Sequence, residues 1–179
     1  MDLTNILGAL TGNEAVGTIA DKFNLESKQV SSVITAALPS LLGAMQKNAS
    51  SQAGAASLAE ALGYHAGNAG NIVNNLKGAD LIDGSKILGH IFGGDLSSVI
   101  NGISKKSGVA SNAVNSILAS IAPSLLALLG KGQQSSGTNA AGLENMLGMI
   151  LGGMSSSGNK SNMGGLGSIL GGLGSIFGK

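Results

Sequence analysis

His65 and His90 are the only imidazoles in this chain of 179 residues, and it has no cysteine. Thiolate metal sites, iron–sulfur ligation, disulfides and a cysteine nucleophile are thereby excluded together. The two histidines form neither a His-x-x-x-His nor a His-Glu pair, so no catalytic residue, cofactor or metal site is expected. His90 lies between Gly89 and Ile91 in an apolar run and reads as a packed or half-exposed core residue. Asp80 and Asp83-Gly84 lack the alternating acids and terminal glutamate of a calcium loop, and read as a solvated turn. No serine stands in Gly-x-Ser-x-Gly, and Gly130-Lys131-Gly132 lacks the flanking residues of a phosphate loop.

Binding chemistry is better represented. Ile19 to Ile34 and Ile103 to Leu118 each have the pattern of a helix-turn-helix. That geometry would direct Ser27, Lys28 and Gln29, or Ser111, Asn112 and Asn115, toward base edges. An αα-hairpin that only packs is described by the same pattern. All ten basic residues are lysine. Without arginine the chain lacks the planar fork that clamps phosphates and reads guanine, which disfavours nucleic acid as a partner. Residues 1–95 carry five lysines and eight acids, a balance of −3, whereas residues 96–179 carry five lysines and one acid, a balance of +4.

These candidate residues sit on a pattern that recurs at an offset of 84. Val30, Ser32, Pro39, Ser40, Leu41 and Leu42 fall on Val114, Ser116, Pro123, Ser124, Leu125 and Leu126. Two copies of one supersecondary unit are expected. In each copy the apolar residues follow a helical period, Val30 to Met45 and Val114 to Leu129, behind a shorter amphipathic piece containing Ile19 or Ile103. Asn24 and Gly108 suit the left-handed backbone of the turn between them, with Ser27 and Ser111 as expected N-caps. The prolines predict a kink or break, with Ser40 to Met45 and Ser124 to Leu129 folding back. Short helices are expected at Leu58 to Leu62, Ile72 to Leu76 and Ser85 to Phe92.

Half of the 30 glycines follow Leu129, so Gly132 to Asn139 and Ser155 to Met163 read as flexible linkers. Leu143 to Met154 forms one weak amphipathic stripe. Leu166, Ile169, Leu170, Leu173, Ile176 and Phe177 form another, suited to a membrane surface or a partner groove. Its glycines cost about 1 kcal/mol each in helix propensity, so this stripe is not expected to fold alone. The acid at position 2 and the absence of a basic leader argue against a secretory signal, which makes the cytoplasm the default compartment. The uncharged stretch from Ser107 to Gly130 is broken by serines, asparagines and Pro123, and reads as a packed amphipathic helix rather than a span.

The string Gly84-Ser-Lys-Ile-Leu-Gly-His-Ile-Phe-Gly-Gly, with Ala122-Pro123-Ser-Leu-Leu downstream, resembles the bacterial family called domain of unknown function 937, related to the YidB-like group. The resemblance runs over most of residues 1–132. It implies an all-helical bacterial protein with no established activity, and for the related group a homeodomain-like arrangement. Family members often carry Asp-x-Asp-Gly before the histidine motif, of which Asp83-Gly84 survives here.

The expected fold is therefore all-α: two repeated helix-turn-helix-like units, short linking helices and a glycine-rich flexible tail. The expected divisions are 1–49, repeat one; 50–83, an Ala/Ser-rich connector; 84–132, repeat two; and 133–179, the tail. The expected function is a non-enzymatic interaction or structural module whose partner is another protein or a second copy. DNA binding by the paired units and membrane-surface contact by the tail are the alternatives.

Overall fold

The computed structural model describes residues 3–156, and the stripe from Leu166 to Phe177 lies outside them. The described residues are all-α, without strands. Nine α-helices follow one another: α1 (Leu3–Thr11), α2 (Asn13–Phe23), α3 (Ser27–Ala49), α4 (Gln52–Ala66), α5 (Ile72–Lys77), α6 (Leu81–Phe92), α7 (Leu96–Ser107), α8 (Ser111–Ser136) and α9 (Leu143–Ser156). Short 3₁₀ turns precede α5, α7 and α9.

The α2–α3 and α7–α8 corners share one local design. Asn24 (φ 53°) ends α2 and Gly108 (φ 72°) ends α7, both in the left-handed region. There the turn closes by a backbone bond to the carbonyl of Ala20 or Ser104. The starts of the long helices differ from expectation. Glu26, not Ser27, caps α3, in a capping box with Gln29, whose Oε1 accepts from Glu26 N at 3.1 Å. Ala110 precedes α8 without a side-chain cap, and the Ser111 hydroxyl sits 3.0 Å from Asn101 Oδ1 instead.

Neither proline breaks its helix. Pro39 lies inside α3 and Pro123 inside α8, so Ser40 to Met45 and Ser124 to Leu129 continue the helices rather than fold back. A proline inside a helix costs about 3 kcal/mol. Here Leu38, Leu41, Leu42 and Met45 in α3, and Ile121, Leu125 and Leu129 in α8, are 0–1% exposed. Each such side chain contributes about 1.5–3 kcal/mol on burial, so packing on both sides of the proline outweighs the defect. The same balance corrects the expected linker at Gly132 to Asn139: Gly132 is buried, and α8 runs on to Ser136.

α8 is the central element, packed chiefly against α4 and α6 and also touched by α1, α2, α3, α5 and α7. α3 is covered mainly by α9, α7 and α4. The apolar stripes of α3 and α8 are thus buried, but largely by shorter helices and only in small part by each other. Two glycines permit close approaches to α8. A Cβ on Gly84 of α6 would overlap the carbonyl of Ala119 in α8, and one on Gly130 of α8 would overlap the carbonyl of Leu62 in α4. α8 is the described helix long and apolar enough to cross a membrane, and most of that window is buried inside the bundle.

The hydroxyls of Ser120 and Ser124, one turn apart on α8, are buried without a hydrogen-bond partner. An unpaired buried hydroxyl keeps its desolvation cost and returns nothing. Ser120→Ala and Ser124→Ala are each expected to leave stability unchanged or raise it by about 1 kcal/mol. A loss of more than about 1 kcal/mol by urea unfolding, for either variant, would show that the hydroxyl is engaged.

Candidate functional site

The helix-turn-helix candidates separate into two unlike corners. At the first, Ser27 and Lys28 are exposed, while Gln29 is half-buried and committed to the capping box. Asp21 and Glu26 are exposed beside it. Such carboxylates would repel a phosphate backbone. The Lys22 ammonium is occupied, donating to the carbonyls of Leu76 at 3.2 Å and Ala79 at 3.0 Å, where it satisfies the end of the six-residue α5. At the second corner Asn112 is exposed, Ser111 and Asn115 are half-buried, and Lys105 and Lys106 are exposed on the last turn of α7. No acid occurs from Leu96 to Ser136. The two corners thus differ in local charge, with acids flanking the first and only lysines at the second.

An open groove of about 750 Å³ lies between α2 and α5, lined by Glu14, Gly17, Thr18, Asp21, Lys22, Val73 and Lys77. Its charges are mixed and face solvent. Among the described residues no three His, Asp or Glu side chains converge as metal ligands. Asp80 is the N-cap of α6, its Oδ1 accepting from Ile82 N at 2.8 Å and from Asp83 N at 3.4 Å, so this acidic string starts a helix. His90 is exposed rather than packed in the core. Its carbonyl and that of Ile91 accept from Asn48 Nδ2 at 3.3 and 3.0 Å, which ties the end of α3 to the end of α6.

A third surface was not marked by motif. Tyr64, the single tyrosine, is 82% exposed on α4, and Ile82 is 70% exposed on α6. Beside Tyr64, the His65 ring stands edge-on at 5.1 Å. Partial burial lowers the His65 pKa from the ordinary value of 6.5, and the Asp83 carboxylate acts in the opposite sense. Tyr64 and Ile82 are thus large apolar side chains left exposed on two helices that both pack on α8. Their signal in the sequence is positional. The buried stripe of α4 runs through Ala55, Leu58, Leu62 and Ala66, and that of α6 through Gly84, Leu88 and Ile91; Tyr64 and Ile82 fall off both.

The lowered pKa has a consequence for stability. The unfolded chain takes up the His65 proton first on acidification, so the contribution of neutral His65 is present above pH 6.5 and lost as pH falls through the lower folded value. Between pH 7.5 and 5, melting temperature is expected to fall more steeply for the natural protein than for His65→Gln. Parallel curves would remove His65 as the cause.

The arrangement of the described residues is that of an all-α helical bundle. The chain belongs to the family described as bacterial protein of unknown function (DUF937), whose model matches residues 5–134. That range includes α2 to α7, all but the last two residues of α8, and both corners. No curated protein and no solved structure matches the chain.

Proposed function

We propose that the protein is a non-enzymatic binding module whose partner is a protein, held through Tyr64 of α4 and Ile82 of α6. The observation that carries this reading is the exposure of Tyr64 and Ile82 on a chain with four aromatic residues in all. A tyrosine presents a large rigid face and a polar tip at small cost in side-chain entropy, and such residues dominate binding energy at protein interfaces. The rigid support is α8, on which both α4 and α6 are packed. A photoreactive side chain placed at Ile82 is expected to give one discrete adduct in cells, abolished by Tyr64→Ala and retained in Met149→Ala, whose exposed side chain lies on α9. Absence of an adduct, or one indifferent to Tyr64, overturns the reading.

A second reading is nucleic-acid binding by the α7–α8 corner. It is supported by Lys105 and Lys106 beside exposed Asn112, in a stretch without acids. A mobility shift with duplex DNA at physiological salt tests it: loss of the shift in Lys105→Glu/Lys106→Glu supports this reading, and no shift of the natural protein at tens of micromolar ends it.

A further inference from the structure

We infer that the C-terminal segment 166–173 is a second occupant for the place on α3 that α9 holds, and that the two exchange within one chain. The first argument is a short repeat. Leu147-Gly-Met-Ile-Leu-Gly-Gly-Met154 of α9 recurs 19 residues later as Leu166-Gly-Ser-Ile-Leu-Gly-Gly-Leu173, with six of the eight residues identical. Glycine and leucine are common in this part of the chain, so which positions are kept matters more than how many. Leu147 and Ile150 are buried, and a Cβ on Gly43 of α3 would lie 4.0 Å from Leu151 Cδ2. Gly148 faces Gln46 of α3, whose Nε2 would stand 2.9 Å from a Cβ at that position, so the site admits a glycine there. These four residues recur as Leu166, Ile169, Leu170 and Gly167. Met149 is 73% exposed, and at its place the repeat has Ser168. The repeat thus keeps the packed side of α9 and changes a position that meets water.

Reach is the second argument. α9 runs antiparallel along α3 and ends at Ser156, so the chain beyond it sets out from the flank of α3. Nine residues, seven of them Gly, Ser or Asn, separate Ser156 from Leu166. A tether this short gives a segment an effective concentration on the order of millimolar, which favours its own α3 over that of a second copy. Too rich in glycine to form a helix alone, the segment gains one by docking on an apolar surface. α9 is the stronger occupant. Buried Leu143 and half-buried Met146 anchor it, whereas Asn162 and Gly165 stand at the corresponding places in the repeat. The form with 166–173 on α3 is therefore the minor one, and in it α9 is released with its apolar side uncovered.

The chain has no cysteine, so introduced pairs report the exchange. In the full chain under mild oxidation, Gly43→Cys/Leu170→Cys is expected to close an intrachain disulfide about tenfold faster than Gly43→Cys/Ser168→Cys, whose second thiol lies on the opposite side of the segment. Asn162→Leu/Gly165→Met, which supplies both missing anchors, is expected to speed that closure and to slow the closure of Gly43→Cys/Leu151→Cys. Circular dichroism checks that each variant retains the natural helicity. Hydrogen exchange gives a second measurement without cysteines: Leu166→Ser/Leu170→Ser is expected to slow exchange of the α9 amides, because it removes the form in which α9 is released. Equal closure rates at positions 168 and 170, closure rates indifferent to Asn162→Leu/Gly165→Met, or α9 exchange indifferent to Leu166→Ser/Leu170→Ser each overturn the inference. A disulfide between two chains in place of one within a chain overturns it as well, and assigns the segment to a second copy.

Discussion

Gly84→Ala is expected to destabilise the protein by about 3 kcal/mol, at the upper end of what overpacking usually costs. The added methyl would occupy the position of the Ala119 carbonyl oxygen, and Ala119 sits on the central helix, where the backbone has no room to withdraw. Relief requires α6 to move away from α8, which would loosen Leu88, Ile91 and Phe92 as well. Melting temperature should fall by about 6–12 °C at this chain length. Gly130→Ala should behave alike, because its methyl would meet the Leu62 carbonyl of α4 and stand 3.1 Å from Ala66 Cβ. Gly89→Ala, on the same helix as Gly84 but with open space around the added atom, is the control and should stabilise by about 0.5–1 kcal/mol through helix propensity. Equal melting temperatures for the Gly84 and Gly89 variants would refute the close approach of α6 to α8.

The two prolines are expected to respond differently to alanine, although they stand at equivalent places in the 84-residue offset. Each removes the amide that would bond to the carbonyl four residues earlier, Thr35 for Pro39 and Ala119 for Pro123. Thr35 and Pro39 are both exposed, so Pro39→Ala restores an ordinary helical bond on the solvent side. Of the roughly 3 kcal/mol proline penalty, about 1 kcal/mol is returned as added freedom of the unfolded chain, leaving a gain of about 2 kcal/mol. Pro123 is different because the Ala119 carbonyl it releases is covered by Gly84 of α6. Such a Cα–H···O contact is a weak substitute for the lost bond. A restored amide would have to displace this contact, so Pro123→Ala should yield little or no gain. Denaturant unfolding of both variants checks this, and equal gains would sink the distinction.

This asymmetry also shows what the sequence can and cannot convey. The helical period of Val30 to Met45 and Val114 to Leu129, the left-handed turns at Asn24 and Gly108 and the helix ending at Phe92 were legible because each is a local signal. The outcome at Pro39 and Pro123 was not, because it depends on a sum of burial contributed by helices distant in sequence. Ser27 and Ser111 misled because their hydroxyls are not the caps: Glu26 with Gln29 forms a capping box one residue before Ser27, and the Ser111 hydroxyl turns to Asn101. The candidate surface was the least visible. Tyr64 and Ile82 belong to no motif, and only the packing of α4 and α6 on α8 shows that these two large side chains are left exposed.

α9 carries a consequence for the outline of the folding unit. The family match ends at residue 134, and α9 begins at Leu143. Yet Leu143 and Leu147 are 0% exposed, and Leu151 beside Gly43 with Gly148 beside Gln46 sets α9 antiparallel along α3. A fragment trimmed at the family boundary would therefore leave a flank of α3 wet, and that naked strip of oil would invite aggregation even though α1 to α7 and nearly all of α8 remained in its covalent chain.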